Sequence, residues 1–555
     1  MVRMKGSRAL MEQLKAEGVE YIFGNPGTSE SAIMDELERY PELKYILVTQ
    51  EGVAMGAADA YARATQKPAF VNLHIETGLA NGISLLHNAN AGGTPLVLSS
   101  GNKDMNKLVE GRTELDEMVK RFTKWSVELS HPDQVPGAIR RAFNEAKTPP
   151  TGPVYVGFSA NSMDGEADVE IVSSPPGHYR IQPDSQAIAK AAKLLARASN
   201  PILLIGDRVA QSGASKEAVK LAETLGAKVY ASSFSEFNFP TRHPQFLGRL
   251  AFGFPEPTKI LSEADVLVAV GNLFTSYWFF HTPGGRTLAP STKIVHLDTS
   301  GRVVGKSEPT DVGVIGDPKM SLSALSEAVE SEMSGSAKES AKGRIEGIAK
   351  ESAQQQSEWQ QRIKDRWDMT PMSTERMMSE VAANIPPDTV VVDDSVTTRD
   401  SVFGAIEFNT PGSVFGERGG AIGWGVGGGL GAKLANPDKP VIAIVGDGSS
   451  MMTVQGFWTA ANENIPDVYL ICNNQTYRVL KLNMKVYKQM VLNDGKESKY
   501  KAMDFPLPLD LAGMAEAMGV YGRKIKDPAD IGPELNKALS SNKPAVLDIS
   551  IDGTV

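Results

Sequence analysis

Apolar and polar positions alternate in blocks along most of this chain. Short apolar runs, YIFG, KYILVT, PAFVNLH, PLVLSS and GPVYVGFS, are separated by stretches in which apolar residues recur every three or four positions. The runs predict buried strands and the intervening pattern predicts helices, which together describe a mostly parallel sheet flanked by helices. The pattern returns as NPILLIG, AKVYAS, ADVLVAVGN and TKIVHLD, and again as TVVVDD, PVIAIVG, DVYLIC and PAVLDISI. Three α/β domains are therefore expected, at residues 1–170, 186–330 and 370–555. A Pro-containing connector, SSPPGHYRIQPDS, precedes the second domain. Residues 331–369 are rich in Ser, Lys, Glu and Gln, as in a solvated helix or a long linker. The first and third segments match in size and alternation, which suggests two related lobes around a middle domain.

Length agrees, since 555 residues exceed what one core holds. A hydrophobic content of 41% and a charged content of 22% are those of an ordinary globular protein. The net charge of −9 weighs against nucleic acid as a partner. Cys472 is the sole cysteine, so no intrachain disulfide forms, and its apolar surroundings predict a core thiol. No apolar run reaches the roughly 18–20 residues that span a bilayer. The opening stretch predicts an amphipathic helix leading into a strand, not a signal peptide, and a cytoplasmic location is the default expectation.

The most informative stretch is Val441 to Leu480. An apolar strand runs into Gly446-Asp447-Gly448-Ser449, a helical segment follows, and a second strand ends at Asn473-Asn474. A strand–helix–strand unit of this length brings Asp447 and Asn474 to neighbouring strand ends, where parallel sheets bind ligands. A carboxylate, an amide oxygen and a backbone carbonyl such as that of Thr476 make a hard oxygen set, suited to Mg²⁺ shared with ligand phosphates. The flanking glycines let the backbone approach a diphosphate. GDG alone is an ordinary turn; the later Asn pair makes the pattern specific.

A second cluster lies in the first segment. Gly24-Asn25-Pro26-Gly27-Thr28 is a strand-end loop, Glu51 opens a helix after a strand, and His74 closes a strand. Singly, Glu51 could simply favour a helix dipole and His74 could be structural. Their common place at carboxyl ends of successive strands points to a site.

FGNPGTSE, QEGVAMGAADAYARAT and FVNLHIETGLANG resemble the pyrimidine-binding domain of thiamine-diphosphate (ThDP) 2-keto acid decarboxylases, the benzoylformate decarboxylase branch in particular. The similarity continues through GGAIGWGVGGGLGAKLANPDKPVIAIVGDGS. The resemblance implies pyrimidine-binding, central and diphosphate-binding domains, with ThDP and Mg²⁺ as cofactors. It implies that Glu51 shares a proton with the cofactor's pyrimidine, that the Gly420 carbonyl accepts its amino group, and that Ile422 supports its bent shape. Asp447, Asn474 and Thr476 match the metal ligands, and Asn25, Gly446, Gly448, Ser449 and Tyr477 fall among the cofactor positions. His74 and His281 match a proton relay, suited to intermediates that exchange protons near neutral pH. Thr28 stands where the branch has a serine that meets the substrate carboxylate. Val479, Leu480 and Asn483 border the substrate's R group, and a polar Asn483 departs from the aryl-accepting pattern.

The implied activity is non-oxidative decarboxylation of a 2-keto acid to an aldehyde through an ylide and an enamine, with carboligation to 2-hydroxy ketones as a further capacity. The alternative is a carboligase or lyase of the acetolactate synthase or benzaldehyde lyase kind. A catalytically silent ThDP-binding protein is opposed by the intact Glu51, Asp447 and Asn474. The partners implied are small 2-keto acids and aldehydes, with neither nucleic acid nor membrane. A homodimer is the implied minimum unit and a homotetramer the usual form. GWGVGG at Gly423–Gly428 also matches the dinucleotide fingerprint, but lacks a clear preceding strand.

Overall fold

The computed structural model describes residues 1–177, 180–232, 236–250, 256–271 and 288–555. Three six-stranded parallel sheets carry the architecture. The first runs, edge to edge, through Lys44–Leu47, Tyr21–Gly24, Ala69–Leu73, Leu96–Asn102, Val154–Ser159 and Ser126–Leu129. The third runs through Val414–Gly416, Val390–Asp394, Val441–Gly446, Val468–Asn473, Ala545–Ser550 and Tyr521–Ile525. Counted along the chain within each lobe, both orders are 2-1-3-4-6-5. The middle sheet, from residues 201 to 315, has the doubly wound order 3-2-1-4-5-6. Its central strands Pro201–Ile205 and Val266–Val270 are buried throughout, as parallel strands covered on both faces must be.

In a 2-1-3 order the connections leave in opposite directions between strands 1 and 3, opening a crevice at their carboxyl ends. In the first lobe Gly24 pairs with Asn72, so the crevice lies between Asn25 and His74. In the third, Asp394 pairs with Val445, so it lies between Asp394 and the Gly446-Asp447 turn.

The outer lobes share one hydrophobic core, joined where helix Glu51–Thr65 crosses helix Trp424–Ala435. The crossing is close because glycine stands at the contact: a Cβ on Gly431 would lie 1.9 Å from the Ala57 carbonyl oxygen. The buried Trp424 indole donates to Asp59 at 2.7 Å. GWGVGG thus opens a helix packed on another helix. Residues 335–365 form one 31-residue helix. It is fastened to the middle domain by Arg344 on the Leu225 and Gly226 carbonyls and by a Lys228–Glu351 ion pair. Farther along, Trp359 packs on Gly404 of the third lobe. No helix among the described residues is long and apolar enough to cross a membrane.

Candidate active site

Glu51 begins its helix after Gln50, whose side chain caps the Val53 amide. Its carboxylate is 6% exposed and accepts from Asn25 Nδ2 at 3.0 Å and Asn81 Nδ2 at 2.9 Å. Both donors are neutral, so the carboxyl is oriented without an ion pair. Gly78, one helical turn past His74, also lies against Glu51.

Beside it stands a second carboxyl-centred group that sequence reasoning missed. Glu30 is fully buried and accepts from the Gly27 and Gly101 amides at 2.8 and 2.7 Å and from Ser29 Oγ at 2.8 Å. His74 Nδ1 lies 2.9 Å from Glu30 Oε2 and 3.0 Å from Ser29 Oγ. A carboxylate facing Nδ1 places the ring proton there and leaves Nε2 as the second functional nitrogen. Gly27 makes this packing possible, since a Cβ there would meet His74 Nδ1 at 2.2 Å. Ile75, directly after His74, has φ +23°, a strained conformation for a β-branched residue beside a reactive side chain. Thr28 is exposed, and its neighbour Ser29 is the residue that reaches His74. His281, with the neighbouring Trp278, Phe279 and Phe280, lies outside the described residues.

The third lobe gathers the other expected residues. A cleft of about 60 Å³ is lined by Ile422, Gly446–Ser449, Asn474, Thr476, Tyr477 and Val479, with Ser395–Thr398 opposite. Asp447 Oδ1 accepts from the Gly448 amide and Oδ2 from the Gln475 amide, each at 2.7 Å. Gln475 at φ +58° turns the chain back so that its N–H meets Asp447. Asn474 Oδ1 accepts from the Thr476 amide at 3.1 Å. Burial pushes the Asp447 carboxyl up to about 6 although backbone donors oppose the shift. A buried carboxylate in that condition, with an amide oxygen and a backbone carbonyl at hand, fits a hard divalent cation. Among the described residues no group of three His, Cys, Asp or Glu side chains could hold a metal, so the remaining ligands here would be phosphate oxygens and water. Gly448 leaves no room for a side chain, its Cβ position lying 2.4 Å from the Tyr477 ring.

Ser449 does different work. Its hydroxyl donates to Asp394 at 2.5 Å and accepts from the Gly423 amide at 2.8 Å. Asp394, pushed up to about 6 by burial, also accepts from the Gly425 amide, so this pair anchors the segment that carries Ile422. Gly420, at φ +90°, donates its amide to Glu417, which burial pushes up to about 7. The same segment is held from the first lobe: His87 meets the Gly419 carbonyl, and Asn88 binds both amide and carbonyl of Ala421. Cys472 lies on the cleft floor, buried, its thiol raised to about 12 and therefore inert. Val479 reaches the cleft, whereas Leu480 is 43% exposed and Asn483 half-buried on a helix, Arg478–Met490, with no buried residue. Among the described residues no hydrogen bond joins Glu51 or His74 to Asp447, Asn474 or Thr476 of the same chain.

The chain matches three family models: the thiamine pyrophosphate enzyme N-terminal TPP binding domain over residues 4–121, the central domain over 188–325, and the C-terminal TPP binding domain over 401–549. It is 29% identical to benzoylformate decarboxylase of Pseudomonas aeruginosa over 549 residues, 98% of either chain. It is 30% identical to a protein of Methanocaldococcus jannaschii named "Probable acetolactate synthase large subunit", over 99% of this chain and 92% of that one. Among solved structures it resembles a Rhodococcus jostii thiamine diphosphate-dependent 4-hydroxybenzoylformate decarboxylase, at TM-score 0.82 and 25% identity over 99% of both chains.

Proposed function

Because the chain belongs to the thiamine-diphosphate-dependent superfamily of 2-keto acid decarboxylases and acetolactate synthases, and is a cofactor-dependent enzyme of that group, we propose that it decarboxylates a 2-keto acid without oxidation and releases an aldehyde. Thiamine diphosphate, when bound, supplies the electron sink that makes loss of CO₂ feasible. The observation that carries the reading is the Glu30–His74 pair beside Glu51. An imidazole with Nδ1 committed to a buried carboxylate offers Nε2 to move a proton at the reacting carbon.

Glu51, held between Asn25 and Asn81, is the acid that shares a proton with the pyrimidine ring of the cofactor. Ile422 and the Gly420 carbonyl position that ring, supported by Ser449 and Asp394. Asp447, Asn474 and the Thr476 carbonyl hold Mg²⁺ and, through it, the diphosphate. Thr28 meets the substrate carboxylate, His281 completes the relay, and Val479 with Leu480 and Asn483 borders the R group. The Glu51 cluster of one subunit serves the Asp447 cluster of another, so a homodimer is the smallest active unit and a homotetramer the assembled form. The Arg478–Met490 helix beside the cleft, which has no buried residue, supports this.

The deciding experiment is CO₂ release from a panel of 2-keto acids, pyruvate to branched and aryl members, with ThDP and Mg²⁺ present or omitted. Cofactor-dependent CO₂ with free aldehyde is expected. Acyloin formed or cleaved as the main product, without free aldehyde, would replace the decarboxylase with the carboligase, a reading the equal similarity to an acetolactate synthase keeps in view.

A further inference from the structure

Two adjacent glycines open the segment Gly419–Ile422 of the third lobe. Both have positive φ, +89° at Gly419 and +90° at Gly420, a conformation open to glycine and costly for other residues. Neither has a side chain to hold it, and Gly420 is exposed. The backbone there is free to turn unless its polar groups are tied from outside.

The ties come from the side chains of His87, Glu417 and Asn88. The Gly419 carbonyl meets His87 Nε2 at 3.1 Å, and the Gly420 amide donates to Glu417. Asn88 takes both polar groups of Ala421: its Oδ1 accepts from the amide at 3.1 Å and its Nδ2 donates to the carbonyl at 2.8 Å. His87 and Asn88 stand near the end of helix Ile75–Gly92 in the first lobe, whose Gly92 carbonyl also accepts from Arg418. The helix comes this close because residue 419 is glycine: a Cβ there would lie 2.7 Å from Asn88 Oδ1 and 3.0 Å from Asn88 Cα. Asn88 is 1% exposed, so water does not compete for its amide.

The arrangement has a direction. In a trans peptide the N–H of one residue and the C=O of the residue before it lie in one plane and point opposite ways. Asn88 Oδ1 holds the Ala421 N–H, so the Gly420 carbonyl in the same plane is aimed away from Asn88. His87 and Glu417 restrain the preceding plane, and only Asn88 bonds to the plane that carries this carbonyl. Among the described residues no hydrogen bond reaches the Gly420 carbonyl oxygen, which is left open as an acceptor.

We propose that Asn88 is a positioning residue that sets the direction of the Gly420 carbonyl, the acceptor that the proposed function assigns to the amino group of the cofactor's pyrimidine. The role rests on that reading. Bonds to the planes on both sides of Ala421 keep either from swinging, and the acceptor is aimed before the cofactor arrives.

The test compares Asn88→Ala with Asn88→Asp. In the cofactor-free enzyme, amide hydrogen exchange around Gly420 and Ala421 should quicken in Asn88→Ala while the strand Val441–Gly446 keeps its wild-type protection. With saturating ThDP and Mg²⁺, deuterium exchange at the cofactor's C2 should fall roughly ten- to hundredfold, with cofactor affinity unchanged. Asn88→Asp separates aim from packing. Protonated, as burial favours, its carboxyl offers the same donor and acceptor as the amide; ionised, it only accepts and repels the Ala421 carbonyl. Between about pH 8 and about pH 6, Asn88→Asp should therefore exchange C2 faster than Asn88→Ala and approach wild type toward the acid end. Wild-type C2 exchange in Asn88→Ala overturns the proposal, as does an Asn88→Asp rate no better than that of Asn88→Ala at every pH. A loss of cofactor affinity as large as the loss of exchange would make Asn88 purely structural. Any of these results beside normal C2 exchange in the wild type removes the positioning role alone; no C2 exchange in the wild type removes the proposed function with it.

Discussion

The first and third lobes are built on the same strand order, yet they treat their carboxylates in opposite ways. At the first lobe's crevice, Glu51 and Glu30 are surrounded by side-chain and backbone donors: two asparagine amides for one; two backbone amides, a serine and an imidazole for the other. At the third lobe's crevice, Asp447 receives backbone amides but stays poorly compensated, its carboxyl pushed up to about 6 by burial. One topology thus provides two kinds of acid. Under the proposed function the first kind exchanges a proton and the second holds a cation. The fold decides where the side chains stand, and the local donors decide what they do.

Three substitutions bear on that contrast. The largest effect is expected from Glu51→Ala, a loss in kcat of roughly 10²–10⁴-fold with Mg²⁺-dependent ThDP binding intact. Deuterium exchange at the cofactor's C2, followed by NMR, should fall in parallel; unchanged exchange would remove Glu51 from activation. If the two kinds of acid come from different subunits, reassociating Glu51→Ala with Asp447→Asn chains rebuilds intact sites and returns about a quarter of wild-type activity. Failure of mixed, correctly assembled dimers to recover any would place both acids on one chain.

Next in size is Asp447→Asn itself. Because even outer partners of a metal ligand cost 10–100-fold, loss of the ligand should weaken Mg²⁺-dependent cofactor binding by about 100-fold or more. The pH dependence follows from the raised carboxyl, about 6 in the fold against 3.8 ordinarily. The cation-free fold keeps the full benefit of protonated Asp447 below about pH 4 and loses ~3 kcal/mol of it as pH rises through about 6. Under the proposed function Mg²⁺ binds the ionised form, so the stabilisation gained on adding Mg²⁺ and ThDP should be large at about pH 7.5 and shrink by about 1.4 kcal/mol by about pH 5. A gain independent of pH, or one retained in Asp447→Asn, breaks the contrast between the lobes.

The smallest effect is expected from Glu30→Gln. The amide keeps the shape but cannot accept from every donor around it, so His74 loses its fixed Nδ1 partner. A roughly tenfold fall in kcat with a displaced pH–rate profile and unchanged cofactor affinity is expected. A lower Tm with an unaltered pH profile would make Glu30 purely structural.

The alternation of buried runs and helical stretches made the α/β architecture legible, since strands covered on both faces have no polar side to disguise them. GDGS with its Asn pair, and Glu51 and His74 at strand ends, were legible for the same reason: strand ends over a crevice are where polar residues interrupt apolar runs. Glu30 was not legible. Its place three residues after Gly27 reads as a helix-start carboxylate, and only the fold shows the Gly101 amide and His74 arriving from other strands. Asn81 similarly reads as one more polar position on a helix. The crossing of helices 51–65 and 424–435 was hidden too, because glycine and alanine carry no periodic signal and partners such as Arg63 and Gly416 lie 353 positions apart.

The long helix over residues 335–365 has a consequence for how the molecule comes apart. It spans roughly 46 Å and is clamped at one end to the middle domain and at the other to the third lobe. A protease needs an extended strand in its cleft, and a helix tied down at both ends offers one only after a clamp has opened. Although most of this segment faces solvent, nicking within it is governed by how often the middle domain releases its hold. The segment is a built-in clock for the parting of the two domains.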